Sequence, residues 1–224
     1  MNFYWIKAPK IIKRLFSSQV WDIPNPENKI YLTFDDGPTS EITTWILSVL
    51  KQNNIKASFF CIGKNIAKNP EIFKQIISEG HCIGNHSYNH NNGWKTKTEN
   101  YIKNVEQCNS EICNLKPETC NQQSKFFRPP YGKITPWQSR KMQNLGYKII
   151  MWDILSADFD TKITPEKCLQ NATQKVKSGS IIVFHDSEKA FANLEYALPK
   201  TIEILRKKGF TFDVLPTQPY NNVN

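Results

Sequence analysis

Seven short apolar runs, rich in β-branched and aromatic residues, recur along the chain: KIYLTF (29–34), ASFFCI (57–62), HCIGNH (81–86), KFFR (125–128), KIIMWDIL (148–155), SIIVFH (180–185) and FTFDVL (210–215). They are near-continuous rather than alternating, the pattern of strands covered on both faces. Longer stretches of helical period lie between them. In residues 40–54, Ile42, Trp45, Ile46 and Val49 share one face, and Ser40 stands where an N-cap belongs. Comparable stretches occupy 69–80, 96–115, 135–146, 164–179 and 193–209. Several close on a glycine (Gly80, Gly146, Gly179, Gly209), the expected C-terminal stop. Strand then helix, repeated, predicts a parallel sheet covered by helices, either a closed or nearly closed barrel or a doubly wound sheet.

Polar residues narrow that picture. Asp35 and Asp36 end the first strand, His86 the third, Arg128 the fourth and His185 the sixth, while Asp153 and Asp158 follow the fifth. Enzymes built on parallel strands gather reactive side chains at the strands' C-terminal ends. The sequence therefore predicts one active face.

Composition sets outer limits. A chain of 224 residues suits one domain, and at that size about 70% of the unfolded surface is buried, enough to need no staple. Hydrophobic residues at 39%, with 13 Phe, 8 Tyr and 6 Trp, exclude a disordered chain. No run approaches the length of a membrane span. The formal charge of +9 attracts polyanions. The basic residues are dispersed, however, without a basic stripe interleaved with aromatics, so no nucleic-acid partner is predicted. The six cysteines form neither C-x-x-C nor zinc-finger spacing. Reduced thiols are the default expectation, with one bridge allowed among Cys108, Cys113 and Cys120.

Residues 1–28 form a basic N-terminal arm, ahead of a catalytic domain at 29–224. Lys7, Lys10, Lys13 and Arg14 precede any acid, and a Lys or Pro interrupts every apolar run. The arm therefore does not read as a Sec signal peptide. Location stays open between the cytoplasm and export by an unrecognised route. Ile11, Ile12, Leu15 and Phe16 would line one face of a short basic helix. An arm packed on the domain is the expectation, and peripheral contact with an anionic membrane is the alternative.

Four segments carry chemistry. His86-Ser87-Tyr88-Asn89-His90 spaces two imidazoles at i and i+4, so one helical turn would aim both at a single metal ion. Thr33-Phe34-Asp35-Asp36-Gly37-Pro38 fixes adjacent carboxylates behind an apolar strand. Their repulsion is relieved if a divalent cation takes one and leaves the other as a base. Arg128-Pro129-Pro130-Tyr131-Gly132 offers a guanidinium able to grip a carboxylate in bidentate fashion, ahead of a stiff loop whose amides can point inward. Phe184-His185-Asp186 brings an imidazole to the mouth as a proton donor. Singly, a structural histidine, a polar turn or an ordinary loop would account for each. Together, at strand ends, they point to a metal site.

TFDDGP, HSYNH, RPPYG, MWDILSADF and IIVFHD, in that order across about residues 29–215, resemble the motifs of the polysaccharide deacetylases, the NodB-homology, family 4 carbohydrate esterases. The resemblance implies a distorted (β/α) barrel with about seven parallel strands. It implies metal-dependent removal of N-acetyl, sometimes O-acetyl, groups from a carbohydrate polymer such as peptidoglycan or chitin-like N-acetylglucosamine oligomers. It assigns Asp36, His86 and His90 to the metal, Asp35 to the catalytic base and Arg128 to holding Asp35 ionised. The Tyr131 N–H becomes the oxyanion donor, and His185 the acid, supported by Asp158. It implies one divalent ion, zinc first, with cobalt, nickel or manganese as alternatives. Phe159, Val183 and Trp152 would border the acetyl pocket. Phe159 stands where the family usually has Trp, Leu155 where Asp is frequent and Val183 where Leu is preferred, which bears on substrate more than on chemistry. Three other readings remain: a hydrolase of small cyclic amides on the same fold, a non-catalytic glycan-binding domain, and a haloacid-type phosphatase. The last wants D-x-D where this strand end has adjacent Asp.

Overall fold

The apolar runs form strands in the computed structural model, which describes residues 4–116 and 125–216. The strands are β1 (Lys29–Asp35), β2 (Ser58–Cys61), β3 (Cys82–Asn85), β4 (Lys125–Phe127), β5 (Tyr147–Ile149), β6 (Ile154–Leu155), β7 (Ile181–His185) and β8 (Thr211–Phe212). All pair in parallel, in the order β5-β4-β3-β2-β1-β7-β6, with β8 beside the start of β1. The architecture is the curled, distorted barrel expected.

The run 148–155, predicted as one strand, is two. It leaves one edge of the sheet after Ile149 and rejoins the other edge at Ile154. The carbonyls of Ile150 and Met151 accept hydrogen bonds from Arg128 at 3.2 and 3.0 Å. That side chain draws them out of the strand ladder.

The gap between β5 and β6 is bridged by the N-terminal arm. Val20 N–H donates to Ile149 O at 2.8 Å and Val20 O accepts from Met151 N–H at 2.7 Å. Ala8 N–H donates to Asp153 O at 3.0 Å and Ile6 O accepts from Leu155 N–H at 2.9 Å. Helix α1 (Lys10–Leu15) lies between these two stitches. Of its expected apolar face only Ile12 packs on the core, while Ile11, Leu15 and Phe16 are exposed.

The remaining helices are α2 (Ile42–Gln52), α3 (Gly63–Lys68), α4 (Pro70–Ser78), α5 (Thr98–Leu115), α6 (Pro136–Asn144), α7 (Pro165–Thr173) and α8 (Glu188–Lys207). None of the described helices is long and apolar enough to cross a membrane. Ser40 does not cap α2. Its first turn is held instead by Thr39 N–H donating to the Thr43 hydroxyl at 2.8 Å. Gly80, Gly146 and Gly209 take φ of 80°, 83° and 83° just past the ends of α4, α6 and α8, the left-handed stop their positions predict. Gly179, at φ 83°, does not close a helix: α7 ends at Thr173, and this glycine turns the chain into β7 against the Ile23 backbone.

Alternation along the strands divides the core. Leu32, Phe34, Ile182 and Phe184 face outward into the cluster under α2 and α8. Tyr31, Phe60, Phe126, Ile150, Ile181 and Leu215 fill the barrel's interior. Cys61, Cys82, Cys108 and Cys168 are free, but Cys113 is disulfide-bonded, which corrects the all-thiol default. Cys120, the other residue in question, lies outside the described residues.

Candidate metal and catalytic site

Above the apolar floor of the barrel the inward positions turn polar. Thr33, Asp35 and Arg128 are all buried there. Arg128 Nη1 donates to Asp35 Oδ1 at 2.6 Å and to the Thr33 hydroxyl at 2.8 Å. Its Nε and Nη2 donate to the Ile150 and Met151 carbonyls, and its plane lies 4.0 Å over the Phe60 ring. The expected bidentate grip is therefore a single contact, because two backbone carbonyls and Thr33 take other donors. Among the described residues Arg128 is the one cation in contact with buried Asp35, and removing it would cost about 3–5 kcal/mol as an uncompensated charge.

Asp36 adopts φ 86°, a left-handed conformation that Asp tolerates better than most residues. That turn points its carboxylate away from Asp35 and toward the histidines. Gly37 follows because nothing larger fits: a Cβ there would stand 1.8 Å from Asp186 Oδ2. Asp186 is fully buried, accepts Gly37 N–H at 2.8 Å and the Thr43 hydroxyl at 2.6 Å, and so clamps the turn. Burial, aided by the nearby Asp36 charge, pushes its carboxyl up to about 7. The sequence reading gave Asp186 no role; its place right after His185 was the available signal.

His86 and His90 do converge, but not on a helical turn. The segment is a loop in which Ser87 (φ 62°) and His90 (φ 56°) are left-handed. It is pinned by the Asn104 carboxamide oxygen, which accepts from the Tyr88 and Asn89 amides at 3.1 and 3.0 Å. His86 Nδ1 lies 2.8 Å from the Arg128 carbonyl, which selects the tautomer whose Nε2 is a free lone pair. That Nε2 is 3.6 Å from Asp36 Oδ1, and His90 Nε2 is 3.2 Å from the same oxygen. Burial is the main force holding the His86 ring neutral, lowering its pKa to about 4.

The three ligand atoms lie within 4.8 Å of one another. Asp36 Oδ1 is buried and has no hydrogen bond. A buried carboxylate oxygen without a donor, facing two imidazole nitrogens, fits a divalent cation. The donor set of two nitrogens and one oxygen leaves further coordination positions open.

Two more groups rim the mouth. His185 is held twice by Asp158: Nδ1 is 2.7 Å from Oδ1, and its backbone N–H donates to Oδ2 at 2.7 Å. Burial alone would lower the imidazole pKa, but Asp158, with Asp36 and Asp35 beyond, raises it to about 9. Tyr131 has φ 61° and rests its ring on His90, centroids 4.5 Å apart. Its amide has no acceptor among the described residues.

Of the expected pocket residues, Phe159 packs edge-on against His185 and Trp152 packs against Gly132. Val183 is buried in β7, beside Thr33. Asp153 does not belong to the active face. It lies at the N-terminal ends of β6 and β7, its N–H donating to Ile181 O at 3.0 Å, where Lys7, Lys13 and Ser180 surround its carboxylate.

Comparison with known proteins points to one family. Residues 22–150 match the family described as polysaccharide deacetylase. A peptidoglycan-N-acetylglucosamine deacetylase of Bacillus cereus is 36% identical over 198 residues, covering 86% of this chain and 69% of its own length. The peptidoglycan-N-acetylmuramic acid deacetylase PdaA of Bacillus subtilis is 31% identical, covering 83% of this chain and 69% of its own. A crystal structure of the peptidoglycan N-acetylglucosamine deacetylase Bc1960 superposes with a TM-score of 0.83 at 32% identity, covering 94% of this chain and 96% of that one.

Proposed function

The chain belongs to the polysaccharide deacetylase family, metal-dependent hydrolases of acetylated carbohydrate, and from that premise we propose that it removes N-acetyl groups from N-acetylglucosamine residues of peptidoglycan. The observation that carries this reading is the orphaned Asp36 oxygen facing the Nε2 atoms of two imidazoles, beside a separate carboxylate held by a buried arginine. The peptidoglycan-N-acetylglucosamine deacetylase of Bacillus cereus supports the choice of sugar.

Asp36, His86 and His90 hold the ion, and the two-nitrogen, one-oxygen set suits zinc, with cobalt, nickel or manganese as alternatives. When bound, that ion polarises the acetyl carbonyl and lowers the pKa of a water molecule to about 7. Asp35, oriented by its contact with Arg128, accepts the proton of the water that attacks the acetamide carbon. The free Tyr131 N–H donates to the developing oxyanion, where one such donor is worth about 2.7–4 kcal/mol. His185, oriented through both oxygens of Asp158, gives its proton to the departing amine. Phe159 and Tyr4, packed edge-on at 5.6 Å, wall off the His185 side from solvent.

The test is an acetate-release panel over peptidoglycan, its N-acetylmuramic acid and N-acetylglucosamine fragments, chitooligosaccharides and acetylxylan, with and without chelator. Chelator-sensitive release from N-acetylglucosamine residues is expected. Release confined to acetylxylan or to N-acetylmuramic acid would overturn the choice of substrate. No release from any glycan would overturn the reading.

A further inference from the structure

Large apolar side chains are exposed in two regions of the described residues. One is the arm and the nearby end of α6, with Trp5, Leu15 and Leu145. The other is the mouth, with Trp94, Tyr131 and Trp137 at 66%, 61% and 68% exposure. Trp94 and Tyr131 lie on the loops following β3 and β4 and Trp137 in the first turn of α6, and these segments are locked together. Gly93 N–H donates to Lys133 O at 3.1 Å, and Trp94 Nε1 donates to Ile134 O at 3.3 Å. The buried Gln138 side chain donates to the Gly93 and Thr96 carbonyls at 2.9 and 3.0 Å. Gly93 is pressed so closely that a Cβ would stand 2.4 Å from Lys133 O.

The indoles are thus carried on a rigid block. Because the Trp94 N–H is engaged by the protein, what that residue offers to solvent is its apolar face. A monomeric surface rarely displays such aromatics without a partner. The ridge is continuous with the centre, since Tyr131 on the same block rests on His90. It is also basic: Lys133 Nζ lies 5.2 Å over the Trp94 ring and Lys95 and Lys97 are exposed beside it. Its acid, Glu99, is met by Lys141 at 3.4 Å.

We propose that this ridge is a subsite for a glycan chain continuing outward from the sugar whose acetyl group is removed. Trp94 and Trp137 take the apolar C–H faces of successive pyranose rings, and the lysines meet carboxylate substituents carried by the chain. The inference rests on the deacetylase reading of the centre and adds to it a preference for long, acidic glycans.

The test compares an N-acetylglucosamine hexasaccharide with the disaccharide in the Trp94→Ala/Trp137→Ala double variant. The loss in kcat/KM on the hexasaccharide is expected to exceed that on the disaccharide about tenfold, through KM rather than kcat. Equal fractional losses at the two lengths, or none, would overturn the proposal. Leu145→Ala, an exposed apolar residue at the far end of α6, serves as the control and changes neither. Binding is read apart from turnover by titrating the hexasaccharide into Asp35→Asn protein with and without the two tryptophans. A chain inert toward every acetylated glycan that still binds the hexasaccharide through these indoles would sink the deacetylase reading and keep the ridge. An active chain with length-independent losses would do the reverse. Lys133→Met should weaken a carboxylate-bearing muropeptide chain more than the neutral hexasaccharide; equal weakening would remove the charge component.

Discussion

Asp36 and Asp153 sit at opposite ends of the same barrel and are treated in opposite ways. At the foot, Asp153 is completely buried, yet its two oxygens receive Lys7, Lys13 and the Ser180 hydroxyl, the last at 2.6 Å. Lys13 and Lys177 also meet Asp22, at 2.5 and 3.0 Å, so the arm is fastened by a small charge network. At the mouth, Asp36 Oδ1 is left without a donor while two imidazoles face it. A carboxylate ringed by protein donors is complete and serves the fold. One whose oxygen is left open beside lone pairs is completed only by a cation from outside. Each has a buried carboxylate oxygen, and what separates the two is whether that oxygen has a donor.

The sharpest way to break that contrast is at the mouth. Asp35→Asn should lower turnover about 10²–10⁴-fold, the usual weight of a general base, with metal content intact. Asp36→Asn and His90→Ala should lose the metal together with the activity. Elemental analysis of the three purified proteins decides, and full metal loss in Asp35→Asn would reverse the roles of the adjacent acids.

The foot should respond in the other currency. Lys7→Met/Lys13→Met leaves Asp153 buried without a cation, which costs about 3–5 kcal/mol. For a chain of this size that is a fall in Tm of roughly 6–20 °C. Metal stoichiometry of the folded fraction should be unchanged. A double variant that melts like the parent would make the arm an ornament rather than a clasp.

The same contrast explains what could be read from the chain. Asp35, Asp36, His86, Arg128 and His185 are legible because each ends an apolar run, and parallel strands bring such ends together whatever the loops do. Asp153 misled for the same reason. It follows four apolar residues, yet the run breaks at Ile150 because Arg128, a residue distant in sequence, takes the carbonyls that would have continued the ladder. The i,i+4 histidine spacing named two rings that the fold does bring together, but by another geometry, since left-handed Ser87 and His90 do the work that a helical turn was expected to do. Asp186 and the arm's strand-like stitches were invisible because their partners, Gly37 and Thr43 in one case and Ile149 and Leu155 in the other, are set by the folded barrel alone.

The smallest expected effect lies between the two ends in kind: His185 has a complete partner in Asp158 and still titrates. Burial works against its charge, but Asp158, joined by Asp36 and Asp35, lifts the imidazole from 6.5 to about 9. A donor to the leaving amine must be protonated, so kcat/KM on an N-acetyl substrate should fall as pH rises through that raised value. A cation on Asp36 offsets part of the carboxylate field, which places the limb of the loaded enzyme between 6.5 and about 9. Asp158→Asn should move it down by about 1–3 pH units, the weight of one adjacent charge. The stability linkage has the same sign. A folded-state pKa above the unfolded one gives a contribution that is full below pH 6.5 and lost as pH climbs through about 9. The alkaline decline in Tm over that window should therefore flatten in Asp158→Asn. An activated aryl acetate, whose phenolate leaves without a proton, should show no such limb in either protein. A limb at one pH in both proteins on the N-acetyl substrate would take Asp158 out of the proton transfer and leave it holding only the His185 backbone.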